Sequence, residues 1–316
     1  MLSPTQITKF RTDGYLVLPD IIPKDILVRL KSEYADLIND LYAGWYKQGL
    51  VKTQPQLLGF WEKLLCAYQA GCDYFQPMDI SLPGDRIKKD TPFHIGPAVF
   101  DMLTAKPLLD AIEQLIGPEI TSNPIQHVRI KPPETKLNKT EIRPHIAATD
   151  WHQDRAVALE EADQTDMITA WIAITNATVE NGCLQVKPQT KNQTILPHCP
   201  RTQTGIAEGF ISETDAISLP ISAGGVVLFH PLTPHRSLRN TTEKFRWSFD
   251  IRYNATGQST GRGHFPDFIA RSRSSPKIEL RDWKTCKSRW EDARARLAQT
   301  PHINIHRWSS DAPYCA

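Results

Sequence analysis

Apolar residues recur at a helical period in the first part of the chain and at a strand period from about residue 120 onward. Ser3-Pro-Thr-Gln6 has the spacing of a capping box with proline in the first helical position, which predicts a short helix. Asp13-Gly14 ends it, and Tyr15-Leu-Val-Leu18 is a compact apolar strand. A second helix is predicted from Pro23, because Ile26, Leu27, Leu30, Tyr34, Leu37, Ile38 and Leu41 recur at three- and four-residue steps. Over 44–95 the helical signal is broken, surviving from Leu57 to Tyr68, and Pro83-Gly84-Asp85 marks a turn-rich stretch. A further helix is predicted at 106–116, stopped by Gly117-Pro118. Short β-type runs then alternate with turns at 125–131, 167–175, 183–187, 226–230 and 244–253, the texture of an antiparallel sandwich or barrel rather than of βαβ units. A Gly/Ser-rich link over 255–263 leads to a last helix with Trp283, Cys286, Trp290, Ala293 and Leu297 on one face.

Composition narrows the classes only a little. With 40% apolar and 23% charged residues, the chain reads as a globular protein that can bury a core. A formal charge of +2 argues neither for a nucleic-acid partner nor for an acidic substrate. Residues 271–296 are basic, but a solvated helix with Trp283 and Trp290 packed inward accounts for them more simply than a phosphate-rich partner. The N-terminal Met-Leu-Ser-Pro-Thr-Gln carries no basic-plus-apolar leader, and no stretch approaches the roughly 20 apolar residues that cross a bilayer. The six cysteines include no CxxC pair, so reduced thiols in a cytoplasmic protein are expected, although Cys66 and Cys72 could meet.

The chemistry lies in two blocks. In Trp151-His152-Gln153-Asp154 the imidazole and carboxylate are two apart, and on an extended segment they share a face and can reach one ion. With a later histidine they make the 2-His-1-carboxylate triad of non-haem iron oxygenases, which leaves positions open on the metal. An HxD pair alone arises often by chance. The second block, Gly224 to Tyr253, supplies a strand, a turn, His235 and then Arg246-Trp-Ser248 opening another strand. Arg246 and Ser248 share a face, and a guanidinium with a neighbouring hydroxyl can seat the far carboxylate of a dicarboxylate that chelates iron at its other end. His230, five residues before His235, competes as distal ligand but would stand at the strand end, with Arg246 too far along. His145 falls in a loop where a pocket or surface role fits better than ligation. His127 and Arg129, two apart on the strand before Ile130-Lys-Pro-Pro133, are either pocket residues or ordinary barrel residues.

The sequence resembles the phytanoyl-CoA dioxygenase family of Fe(II)/2-oxoglutarate-dependent oxygenases. The resemblance runs through Phe10-Arg-Thr-Asp-Gly-Tyr-Leu-Val-Leu18, Ile130-Lys-Pro-Pro133, Trp151-His-Gln-Asp154, Trp171, Asn181-Gly-Cys-Leu184, Gly224–Tyr253 and Phe265–Arg273. It implies that His152, Asp154 and His235 bind iron and that Arg246, eleven residues after His235, binds the far carboxylate of 2-oxoglutarate. It also implies Ser248 as a second donor, Trp171 beside the co-substrate (a core tryptophan being the alternative), and a pocket strand carrying His127 and Arg129. The chain departs from the family at Lys187-Pro-Gln-Thr-Lys191 and at Arg236-Ser237, in loops that shape the substrate mouth. Related halogenases carry a small residue where this chain has Asp154, so oxygen transfer or desaturation is favoured over halogenation.

The expected architecture is mainly β with flanking helices, around a double-stranded β-helix (jelly-roll, cupin-like) core. One domain over 1–316 is expected: an N-terminal helical region and lid over 1–95, the jelly-roll core over 96–256 and a C-terminal helical extension over 257–316. The expected cofactors are Fe(II), 2-oxoglutarate as co-substrate and O2, and the partner is a small-molecule substrate, with no nucleic acid and no membrane; the oligomeric state stays open. The expected activity is oxidation of a C–H bond in a small organic molecule, of secondary-metabolite type, by hydroxylation or by desaturation or ring closure. Two alternatives remain: an acyl-CoA hydroxylase, and a jelly-roll binding or sensor protein without turnover.

Overall fold

The computed structural model describes residues 1–136, 148–188, 193–201, 203–300 and 303–315. The chain opens with α1 (Pro4–Asp13), β1 (Tyr15–Leu18), α2 (Lys24–Lys47), α3 (Phe60–Gln69), α4 (Phe75–Met78), α5 (Pro97–Leu103) and α6 (Lys106–Ile116). There follow β2 (Glu119–Lys131), β3 (Met167–Ala173), β4 (Leu184–Val186), β5 (His198–Pro200), β6 (Thr204–Ile206), β7 (Ile217–Leu219), β8 (Val226–Phe229), β9 (His235–Ser237), β10 (Arg246–Ala255) and β11 (Phe268–Ser272). Helix α7 (Trp283–Leu297) precedes the C-terminal tail.

Local chemistry explains the ends of these elements. At α1 the Ser3 hydroxyl accepts from the Gln6 backbone N–H while the Gln6 side chain accepts from the Ser3 N–H, and Gly14 closes the helix in the left-handed conformation at φ 76°. Asp282 caps α7 by accepting from the amides of Lys284 and Thr285.

The strands form a six-stranded sheet in the order β1-β8-β3-β10-β2-β11 and a three-stranded sheet in the order β7-β4-β9, with β5 and β6 as a separate hairpin. The pairings are antiparallel, and neither sheet closes on itself. Together they make the jelly-roll arrangement with flanking helices that the sequence predicts. The longest predicted runs survive with shifted ends, while β5, β6, β7, β9 and β11 are too short or too irregular to show a period.

The large sheet has an apolar outer face and a polar inner one. Trp247, Phe249, Ile251 and Tyr253 of β10, with Val128 and Ile130 of β2, join the main core under the helices, where Tyr34 and Ile38 of α2 are fully buried. Trp247 sits 5.0 Å from Tyr34 and 5.7 Å from Phe60, ring to ring. The alternate residues Arg246, Asp250 and Arg252, with His127, Arg129 and Lys131, line a cavity between the sheets. Helices cover the apolar face, so on β10 and β2 the polar side turns inward, while Tyr15 of β1, Trp171 and Ala173 of β3, and Val227 and Phe229 of β8 form a second apolar cluster on the inner side.

The expectation of six reduced thiols is corrected: Cys199 and Cys315 form a disulfide, while Cys66, Cys72, Cys183 and Cys286 are free. Cys66 and Cys72 do not pair; the bond instead ties β5 to the tail. No helix among the described residues is long and apolar enough to cross a membrane.

Candidate active site

His152 and His235 are held face to face by reciprocal backbone hydrogen bonds, His152 N–H to His235 O at 3.0 Å and His235 N–H to His152 O at 2.9 Å. Their ring centroids are 4.2 Å apart, and Phe229 stacks on His235 at 4.6 Å. Each Nδ1 donates to a carbonyl two residues earlier, Asp150 at 2.8 Å and Thr233 at 3.0 Å. That fixes both rings and leaves Nε2 as the free lone pair on each. The Nε2 atoms lie 4.0 and 3.9 Å from the Asp154 carboxylate, and one donor atom from each of the three residues falls within 4.8 Å of the others. Two imidazoles and a carboxylate converging in this way fit a divalent metal such as iron.

Gln153, fully buried between the ligands, sets their spacing. Its extended backbone (φ −118°, ψ 134°) carries His152 and Asp154 to one side, and Asp154 then begins a short 3-10 turn to Ala156. The Gln153 side chain donates to Thr194 O and Leu232 O and accepts from Leu196 N–H, while its own N–H donates to His198 Nε2 at 3.1 Å. Burial pushes His198, and likewise His230, down to about 4. An unfolded imidazole titrates near 6.5, so between these values the unfolded chain binds protons that the folded chain refuses. Stability is therefore complete above about 6.5 and falls as the pH drops toward 4, by up to about 1.4 kcal/mol per pH unit for each ring. Thermal melts between about pH 7.5 and about pH 5 should show a falling Tm, and a flat profile would refute this account.

Asp154 is held from both sides, Arg252 donating to one oxygen and Thr169 to the other. Burial alone would raise its pKa, but Arg252 first, then His235 and His152, hold it well below the usual carboxylate range. Burial, then the neighbouring His235, keeps His152 neutral far below the ordinary imidazole value. Both residues are thus in the protonation state a metal requires.

Further along the cavity, Arg246 is 2% exposed and donates through Nη1 to Ser248 Oγ at 2.6 Å. Its guanidinium lies over the Trp171 ring at 5.3 Å, and its Nε has no hydrogen-bond partner. No carboxylate pairs with it among the described residues; burial first, then the charge of Arg129, pushes it down to about 9. Lys131 lies nearby, donating to Ser237 Oγ at 2.8 Å and Leu238 O at 2.7 Å. Arg246, Lys131, Ser237, Trp171 and His152 line one cavity of about 490 Å³, in the range of small-molecule sites. Ser248 is fully buried behind Arg246 and not on the cavity wall, so its hydroxyl positions the guanidinium.

His127 and Arg129 line the same cavity; His127 Nδ1 bonds Asp79 Oδ2 at 2.8 Å, and Arg129 lies 4.0 Å from Asp250. His230 stands outside the cluster, accepting from Leu232 N–H at 3.2 Å, and His145 and residues 189–191 lie outside the described residues. Sequence reasoning missed Arg252, Thr169, Lys131, Ser237, Asp79 and Arg262. The alternation Arg246, Ser248, Asp250, Arg252 was the available signal for Arg252.

Residues of the 75–85 segment, with Ile305 and His306 of the C-terminal tail, also line the cavity. Asp79 anchors the first segment by accepting from Val128 N–H and Ile80 N–H. The tail presses Ile305 against Gly84 so closely that a Cβ there would lie 1.7 Å from Ile305 Cδ1. Trp308 Nε1 donates to Ala156 O at 2.9 Å, Arg307 pairs with Asp163, and the Cys199–Cys315 bond fastens the end. Cys199→Ser should lower unfolding stability by about 2–4 kcal/mol, read from denaturant melts. In the unfolded, unreduced wild type only Cys66, Cys72, Cys183 and Cys286 should alkylate; labelling of all six would disprove the bond.

The family model described as Phytanoyl-CoA dioxygenase (PhyH) matches residues 10–248. A probable phytanoyl-CoA dioxygenase of Caenorhabditis elegans is 26% identical over 265 residues, covering 80% of this chain and 75% of that one. The peroxisomal phytanoyl-CoA dioxygenase of Homo sapiens is 29% identical over 252 residues, covering 77% and 66%. Among solved structures, the non-heme monooxygenase ThoJ in its apo form superposes with a TM-score of 0.59 at 19% identity, over 93% of this chain and 99% of that one. EvdO2 from Micromonospora carbonacea var. aurantiaca, complexed with 2-oxoglutarate, superposes with a TM-score of 0.50 at 20% identity, over 82% and 94%. These likenesses show the fold.

Proposed function

The chain belongs to the phytanoyl-CoA dioxygenase family, and from that premise we propose that it is an Fe(II)- and 2-oxoglutarate-dependent dioxygenase oxidising a C–H bond of a small organic molecule. The observation that carries this reading is Arg246, a buried guanidinium without a carboxylate partner among the described residues, in one cavity with His152. A metal triad alone suits many reactions; a triad sharing its cavity with an unpaired guanidinium suits a chelating dicarboxylate.

His152, Asp154 and His235 would hold the iron, for which their donor set and fixed tautomers fit. When bound, the iron couples oxidative decarboxylation of 2-oxoglutarate by O2, giving succinate and CO2, to oxidation of the substrate. The chain's own share is positional. Arg246, set by Ser248 and flanked by Trp171 and Lys131, grips the far carboxylate of the co-substrate. Arg252 and Thr169 fix the plane of the Asp154 carboxylate. The segment over 75–85 and the tail at Ile305 and His306 exclude bulk water from the cavity. His127 and Arg129 face the space left for substrate, and residues 1–316 act as one oxygenase domain.

The test is succinate release from 2-oxoglutarate in a substrate screen, with and without added Fe(II). Iron-dependent release that is abolished in His235→Ala supports the proposal. Tight 2-oxoglutarate binding with no succinate from any substrate would favour the binding-protein reading instead. Coupled turnover of free small molecules lacking a CoA handle separates it from an acyl-CoA hydroxylase.

A further inference from the structure

We propose that the part of the cavity lined by Arg262 is a carboxylate-binding substrate subsite, so that the substrate is an organic acid with an apolar body. This rests on the oxygenase reading, which assigns the part beside Arg246 to 2-oxoglutarate.

Arg262 lines the cavity yet is only 6% exposed. Its Nη2 donates to Val157 O at 2.7 Å, its Nε is buried with no partner, and no carboxylate pairs with it among the described residues. The other arginines of the cavity are accounted for: Arg252 pairs with Asp154, Arg129 lies 4.0 Å from Asp250, and Arg246 faces the co-substrate end. Lys131 donates to Ser237 Oγ and Leu238 O beside Arg246, which leaves Arg262 as the arginine without a paired anion away from the co-substrate seat. Glu161 acts on it only through its charge, with no direct pair; burying a guanidinium without a paired anion costs several kcal/mol, and an incoming anion recovers that cost. Burial first, then the nearby Arg252, pushes it down to about 10, so it is still a cation at neutral pH.

The loop that carries Arg262 is built to hold it still. Gly261 adopts φ +67° and lies so close to the 157–162 segment that a Cβ would meet Ala158 at 2.7 Å and Ala162 at 2.9 Å. Leu159 N–H donates to Gly261 O at 3.1 Å, and Asn123 Nδ2 donates to Thr260 O at 3.0 Å from β2. The donor is therefore pre-positioned, as a specificity site needs. Ile125, Ala156, Val157, Phe265 and Ile305 supply apolar wall in the same cavity, with His306 nearby. A carboxylate on Arg262 with its carbon body along these residues satisfies both surfaces.

The experiment uses full-length protein loaded with Ni(II) and saturating 2-oxoglutarate, and matched probes, 4-phenylbutanoate against 4-phenylbutanamide and heptanoate against heptanamide, titrated by calorimetry. The acids should bind at least about 10-fold more tightly than the amides, the size of one charged hydrogen bond. Arg262→Gln should erase that difference while leaving 2-oxoglutarate affinity unchanged, and Arg262→Lys should retain part of it. Equal binding of acid and amide by the wild type, binding of neither, or a preference that persists in Arg262→Gln overturns the subsite. Loss of Ni(II)-dependent 2-oxoglutarate binding in the wild type would instead overturn the oxygenase reading, which keeps the two failures distinct.

Discussion

Arg246→Leu should raise the 2-oxoglutarate concentration for half-maximal succinate formation by about 30- to 1,000-fold, the equivalent of roughly 2–4 kcal/mol for truncating one side of a buried charge pair. The same variant should fold as stably as the wild type or more so. Arg246 is a buried cation with no carboxylate partner among the described residues, and its pKa is pushed down by burial and then by Arg129. Without co-substrate its charge is a cost to the fold, so removing it relieves the protein while destroying the seat. Thermal melts without 2-oxoglutarate, set beside steady-state kinetics, read both effects. A large loss of stability with unchanged 2-oxoglutarate dependence would show that Arg246 is only structural. Arg246→Lys should recover little, since an ammonium cannot present the paired donors of a guanidinium.

Asp154→Ala should behave in the opposite way for stability. Succinate formation should fall by more than about 100-fold, beyond the 10–100-fold typical of losing a partner behind a metal ligand. The fold should also weaken, by about 3–5 kcal/mol, because the buried Arg252 loses its hydrogen-bonded anion and keeps only Asp250, 3.8 Å away. Asp154→Ala combined with Arg252→Met removes both charges and should recover most of the stability but none of the activity. Equal stability of the single and double variants would refute the Arg252–Asp154 pairing as a structural element. Activity in Asp154→Ala would remove the carboxylate from the iron site.

How much of this was legible in the chain differs from residue to residue. His152 and Asp154 are neighbours in sequence, and Arg246 and Ser248 share a strand face, so period-two geometry brings each pair together without knowledge of the fold. Arg252 and Asp154 are 98 residues apart, and Cys199 and Cys315 are 116 apart. Nothing local marks such partners. Lys131 stood inside a recognised motif, but its contact with Ser237 depends on how β2 and β9 face across the cavity. The individual contacts over 79–84 and in the tail were not legible for a related reason: Asp79, Gly84 and Ile305 matter through contacts with distant segments, and their own stretches lack periodicity.

The sequence by itself determined the alternation of β10, with Arg246, Ser248, Asp250 and Arg252 on one face and Trp247, Phe249, Ile251 and Tyr253 on the other. It could not say which face is the inside, since a lone amphipathic strand reads equally well with its polar side in water. The tertiary structure decided that. Helices cover the apolar face and leave the charged one to line a cavity, where arginines, carboxylates and imidazoles must find partners in one another or in a ligand.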